Sequence, residues 1–296
     1  MEAIIVIVGF LGAGKTTLLK KVVKSYLDKK WHPFVILNDY ENANLDAQDF
    51  LKLLDPNQIN ALSGSCICCS GINELREKVN LIPNREKGIT LVEANGTTDA
   101  VSLMGFLGVG MEKRFLPPIQ IAVVDVRNWQ KRNTHNELEA NQVQVSSIII
   151  LNYIDQVEIE RLVEVEQDLR SLNGSAIISH WDKFDVDGLV NLYPSENKAQ
   201  KMEHQKAHWA SCSVDLPDPI NFDRLSRIID SIPAGVLRLK GCTRFDDNEH
   251  YSYFERTPSG EVFVRPYNGV PVTGSKLLTI GPGSDPVLLA KLINKD

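Results

Sequence analysis

The residues best equipped for chemistry stand near the amino terminus, in Gly9-Phe10-Leu11-Gly12-Ala13-Gly14-Lys15-Thr16-Thr17. The spacing G-x-x-x-x-G-K-[ST] marks a phosphate-gripping loop when it follows a strand and opens a helix. The apolar run 3–8 before it and the amphipathic run 15–29 after it supply that context. Gly9, Gly12 and Gly14 free the backbone to turn successive N–H groups onto phosphate oxygens. The amides from Ala13 to Thr17 add the positive end of the following helix. Lys15 then contacts the β- and γ-phosphates, and the Thr16 hydroxyl coordinates Mg²⁺. The pattern predicts a nucleoside triphosphate and is silent on its base.

Such a loop needs a carboxylate at a neighbouring strand end to hold Mg²⁺ or its water. Leu91-Val92-Glu93-Ala94-Asn95-Gly96 offers Glu93, with the Gly96 amide placed to approach the γ-phosphate; Asp125, ending a later apolar run, is a rival. GTPases read guanine through an N-K-x-D element, and the segment Asn152-Tyr153-Ile154-Asp155 keeps Asn152 and Asp155 but has Tyr153 in the lysine position. An aromatic ring can cover a base as a lysine stem does. An ordinary strand–turn with Asp155 capping the next helix is the bland alternative.

A second constellation is Ser65-Cys66-Ile67-Cys68-Cys69-Ser70-Gly71. Extended backbone turns Cys66 and Cys68 to one face, whereas a helical turn brings Cys66 to Cys69. Either way two thiolates can converge, and soft sulfur selects Zn²⁺ or another thiophilic transition metal. No second CxxC or HxxxH pair stands by to close a structural zinc site, so an accessible, incomplete site is expected, with Asp39, Glu41 or a histidine completing it. A buried small-residue patch or a redox pair remains open.

Positioning these groups requires a particular scaffold. Apolar, β-branched runs at 3–8, 33–37, 88–93, 120–126, 147–152 and 175–179 alternate with amphipathic stretches at 15–29, 71–81, 136–143, 157–172 and 186–190. That alternation predicts an α/β fold, a mostly parallel sheet with helices on both faces. The chain turns polar at 196–208, and beyond it strands at 208–214, 235–245, 251–257, 261–264 and 276–281 and helices at 222–231 and 285–294 suggest a small α+β domain. The expected domains are 1–200 and 206–296.

The composition fits an ordinary globular protein, with 43% hydrophobic and 24% charged residues. A net charge of −6 speaks against nucleic acid as a partner, which needs a basic footprint. No apolar run approaches the ~20 residues of a membrane span. The start, Met1-Glu2-Ala3-Ile4, shows no basic leader, and five cysteines, an odd count, suit a reducing compartment, so a cytoplasmic protein without membrane attachment is expected.

Taken together, Gly9 to Leu19, Leu37-Asn38-Asp39-Tyr40-Glu41, Cys66-Ile67-Cys68-Cys69, Glu93-Ala94-Asn95-Gly96 and Gly235-Val236-Leu237-Arg238-Leu239-Lys240-Gly241 resemble the CobW-like metal-handling GTPases, over nearly the whole chain. The resemblance implies GTP hydrolysis coupled to delivery of a metal ion to a client metalloprotein or cofactor; a monomer or homodimer is expected. The chain departs from the family at Asp39, one methylene shorter than the usual glutamate, at Asn95 in place of serine, and at Tyr153. A nucleotide-gated scaffold and a P-loop kinase of a small metabolite are the competing readings.

Overall fold

The computed structural model describes residues 1–38, 47, 49–62, 71–195, 211–233, 235–236, 238–256, 260–267, 269–271, 274–281 and 284–294. The chain divides into two compact units, Met1–Ala207 and His208–Asp296.

In the first unit the strands are β1 (Ala3–Val8), β2 (His32–Asn38), β3 (Ile59–Leu62), β4 (Gly88–Glu93), β5 (Ile119–Asp125), β6 (Ile148–Asn152) and β7 (Ile177–His180). They form one parallel sheet in the order β3-β2-β4-β1-β5-β6-β7. Strands β1, β4 and β5 are buried along their whole length, which explains their unbroken apolar sequences: both faces are covered. The covering helices are α1 (Lys15–Asp28), α2 (Gly71–Asn80), α3 (Ala100–Leu107), α4 (Asn136–Gln144) and α5 (Ile159–Leu172). Helix α1 buries Leu18, Leu19, Val22, Val23 and Tyr26, the i, i+4 stripe of an amphipathic helix, against core residues such as Ile5, Leu37 and Leu91.

The topology decides where a ligand can sit. The chain leaves β1 for β2 on one side and later crosses to β5 on the other, so the carboxyl end of β1 is a switch point, where open α/β sheets bind ligands. The phosphate loop leaves that end.

Two elements escaped the sequence reading. Helix α3 is apolar along its length, Ala-Val-Ser-Leu-Met-Gly-Phe-Leu, and so carries no 3.6-residue polarity signal. Strand β3 is four residues long and holds Asn60. The helix expected at 186–190 is instead a turn followed by a single 3-10 turn, Leu189–Asn191; Gly188 and the short span leave too few residues for an α-helix.

The second unit contains β8 (Ser211–Asp215), α6 (Phe222–Ser231), β9 (Arg238–Arg244), β10 (Tyr251–Arg256), β11 (Val262–Pro266), β12 (Lys276–Ile280) and α7 (Pro286–Ile293). The strands pair antiparallel in the order β11-β10-β9-β12-β8. Its core gathers Leu225, Ile228 and Ile229 of α6, Leu289 and Ile293 of α7, and Leu239, Phe254 and Leu277 of the sheet. Asn221 and Asp285 cap α6 and α7 with their side-chain oxygens. Cys212 and Cys242 are buried thiols, and burial, then the Asp218 charge, pushes the Cys242 thiol up to about 12. Both act as small core residues.

Candidate functional site

The phosphate loop owes its path to its glycines. Gly9 (φ 147°) lies so close to β5 that a Cβ would stand 2.4 Å from the Val123 carbonyl oxygen, and Gly14 (φ 104°) so close to Asn152 that a Cβ would meet its amide nitrogen at 2.5 Å. Lys15, 5% exposed, reaches back along the loop, and its Nζ donates to the carbonyls of Gly9 (2.9 Å) and Phe10 (3.3 Å). The loop thereby holds a cation on its axis, while Gly12, Ala13 and Gly14 lead into the first turn of α1.

On one side of the loop stands β4. Its register with β1 sets Glu93 opposite Ile7, and the Thr16 hydroxyl donates to Glu93 Oε1 at 2.8 Å. Two hard oxygens from one hydroxyl and one carboxylate, at the mouth of a phosphate loop, are a donor set that fits Mg²⁺. The rival Asp125 is engaged elsewhere: it accepts from Arg127 Nε and Nη2, both at 3.0 Å, from the Arg127 amide and from Asn128 Nδ2. Gly96 lies against the loop from the same side, where a Cβ would meet the Leu11 nitrogen at 2.8 Å and its side chain at 2.5 Å. Asn95 folds into the local turn, its Oδ1 accepting from the Thr97 amide and hydroxyl.

Helix α4 holds this segment in place. Gln142 Nε2 donates to the carbonyls of Gly96 (3.1 Å) and Thr98 (3.2 Å), and Asn141 Oδ1 accepts from the Ala100 amide at the start of α3. One turn earlier Glu139 accepts from Arg132 Nε, and the Arg132 guanidinium lies 4.1 Å from the centre of the Phe10 ring. Burial, only partly offset by Arg132, raises the Glu139 carboxyl above its usual range. A single helix therefore holds the segment after Glu93 directly and reaches the phosphate loop through Arg132.

On the other side stands β6. Asn152 Nδ2 donates to the Ala13 carbonyl (2.9 Å), and the Tyr153 hydroxyl donates to the Gly12 carbonyl (3.2 Å). Asp155 is exposed two residues further on, in a 3-10 turn. The Arg127 guanidinium covers the Tyr153 ring at 3.6 Å.

The structure thus brings together Gly9, Gly12, Ala13, Gly14, Lys15, Thr16, Glu93, Gly96 and Asn152, with Asp155 at the rim. Thr17 follows in the first turn of α1. Cys66, Cys68, Cys69, Asp39 and Glu41 lie outside the described residues; among the described ones no group of three or more metal-ligating side chains occurs. Arg127, Arg132 and Gln142 were not singled out from sequence. No spacing rule points to them, because tertiary packing of strand ends and of α4 brings them to the site.

A family model described as CobW/HypB/UreG, nucleotide-binding domain, matches residues 3–180, the stretch that builds the loop, Glu93 and Asn152. The chain belongs to the CobW/HypB/UreG family. Among relatives, it is 26% identical over 274 residues to the zinc chaperone YjiA of Escherichia coli (strain K12), covering 86% of this chain and 85% of that protein. It is 24% identical to the zinc-regulated GTPase metalloprotein activator 1 of Dictyostelium discoideum, over 80% of this chain and 61% of that longer protein. The crystal structure of Zn(II)-bound YjiA GTPase from E. coli aligns over 99% of this chain and 98% of that one, with 17% identity and a TM-score of 0.43. Tyr153 stands where N-K-x-D has its lysine, with Arg127 beside it. Among the described residues no helix is long and apolar enough to cross a membrane.

Proposed function

We propose that this protein is a GTP-hydrolysing metal chaperone that delivers a thiophilic transition metal, with zinc the first candidate, to a client metalloprotein. The observation that carries the reading is the Thr16 hydroxyl held 2.8 Å from Glu93 at the mouth of a complete phosphate loop. The relatives named for zinc chaperoning and GTPase activity support it.

In this reading the loop amides and Lys15 bind the β- and γ-phosphates, and Asn152 and Asp155 select guanine. Thr16 and Glu93 hold Mg²⁺, which supplies neutralisation of charge developing on the phosphate oxygens. Glu93 and the Gly96 amide orient the attacking water at the γ end. Residues 94–99 contain no glutamine to position that water, so turnover is slow until a partner contributes. Cys66, Cys68 and Cys69, with Asp39 or Glu41, hold the cargo metal. They lie in the chain between α1 and β4, and in this reading their metal affinity depends on the state of the γ-phosphate.

The test is Zn²⁺ affinity with and without Mg·GTP, for the wild type and for a variant with Cys66, Cys68 and Cys69 changed to Ser. The expected result is a nucleotide-dependent affinity that vanishes with the thiols. Metal binding and hydrolysis both indifferent to thiol removal would sink the chaperone reading and favour a nucleotide-gated scaffold.

A further inference from the structure

We propose that Arg127 is a positioning residue of the base site: it backs the ring of Tyr153 so that the opposite face of that ring becomes the platform on which the purine of the nucleotide stacks. The inference rests on the reading of the loop as a GTP site. It begins with the lysine that this chain lacks. In N-K-x-D the lysine supplies two things at once, an apolar stem over the base and a positive charge. Here Tyr153 supplies the surface, and its hydroxyl ties to the Gly12 carbonyl at 3.2 Å. The charge has moved to Arg127, whose guanidinium lies 3.6 Å from the ring centre.

Both partners are fixed from outside. Tyr153 sits in the left-handed region (φ 62°, ψ 30°), an arrangement that a bulky residue seldom adopts, and its amide donates to Asn152 Oδ1 at 2.9 Å. Arg127 is gripped through two nitrogens by Asp125, itself 3% exposed at the end of β5, and by Gln156 Oε1 at 2.7 Å. The register of β5 with β6 sets Asp125 opposite Asn152, so the clamp and the ring come from adjacent strand ends. A ring has two faces, and the guanidinium occupies one. A base beside the loop can take only the other, giving a three-layer stack of guanidinium, phenol and purine. A cation over one face is attracted to the ring and so fixes the ring in place without reading the base edge. Arg127 therefore contributes affinity, whereas Asp155 contributes the choice of guanine.

The test is a double-mutant cycle on GTP and ATP dissociation constants, with R127A, R127Q, Y153K and the combined variants. R127Q keeps a polar side chain beside Asp125 and Gln156 but removes the charge, and melting temperatures verify folding. The expected result is that R127A and R127Q each weaken GTP and ATP alike by about 3- to 10-fold, leaving the GTP/ATP ratio unchanged. In the Y153K background, where the lysine itself brings charge and stem, removing Arg127 costs nothing or improves binding. Equal affinities for wild type and R127Q overturn the proposal, as does the same loss in both backgrounds, which assigns Arg127 to scaffolding of Asp125. A wild type that binds no GTP is a different outcome and removes the proposed function itself.

Discussion

His135 shows how close the phosphate loop lies to a titratable group. Its ring packs 6.3 Å from that of Phe10, the second residue of the loop, and Arg132 lies on the same phenyl ring. Burial, then the Arg132 charge, lowers the His135 pKa below its ordinary value. A group whose folded-state pKa is depressed contributes its full stability above the unfolded pKa, about 6.5, and loses it as pH falls. Glu139 runs the other way, since its raised pKa makes the folded state take up a proton first as the solution is acidified. Comparison with a His135→Gln variant isolates the histidine. Between pH of about 7.5 and 5.5 the melting temperature should fall more steeply for the wild type than for the variant. Parallel curves would show that His135 is protonated equally easily in both states.

At the scale of elements, α4 is the part that links the phosphate loop to the segment after Glu93. Glu139 and Gln142 are three residues apart and so share one helix face. The first reaches Phe10 through Arg132, and the second holds the carbonyls of Gly96 and Thr98. Gln142 is anchored in turn, because Gln120 of β5 donates to its backbone carbonyl at 2.8 Å. Gln142→Leu preserves bulk and removes both donations, leaving two buried carbonyls to find other partners, at a cost of about 1–3 kcal/mol. Because Gly96 touches Leu11 of the loop, its displacement should slow single-turnover GTP hydrolysis by roughly tenfold or more, with a smaller change in GTP affinity. Urea unfolding gives the first quantity and rapid-quench hydrolysis the second. Unaltered hydrolysis in a destabilised Gln142→Leu protein would reduce α4 to a passive prop.

At the scale of the whole molecule, the second unit has the features of an independent domain. Its core draws on both helices and on the sheet, and it includes Leu239 and Leu277 with no exposed surface. Glu255 sits between Arg238, which it meets at 2.7 Å, and the Tyr253 hydroxyl at 2.9 Å. Burial opposes the charge of Glu255, but Arg238, Lys240 and these hydrogen bonds prevail, and its pKa is lowered. The fragment His208–Asp296 should therefore unfold in a single cooperative transition in urea, with a slope of about 1 kcal/mol/M. It should lose stability as pH drops through the carboxylate range, because the depressed Glu255 pKa adds stability only above the unfolded value, about 4.3. A fragment that melts without cooperativity would tie its folding to the first unit.

What the sequence determined by itself is whatever depends on near neighbours. The glycines, Lys15 and Thr16 declare themselves by spacing, because a phosphate loop is built from consecutive amides. The buried strands declare themselves as unbroken apolar runs, because both faces are covered. Asn152 and Asp155 belong to the same local order. Tertiary structure decided what depends on which strands lie side by side. Pairing β1 with β4 brought Glu93 to Thr16, and pairing β5 with β6 brought Arg127 onto Tyr153. Packing of α4 brought Gln142 to Gly96, 46 residues away along the chain. Such contacts join residues that share no turn and no periodicity, so only the folded unit could reveal them.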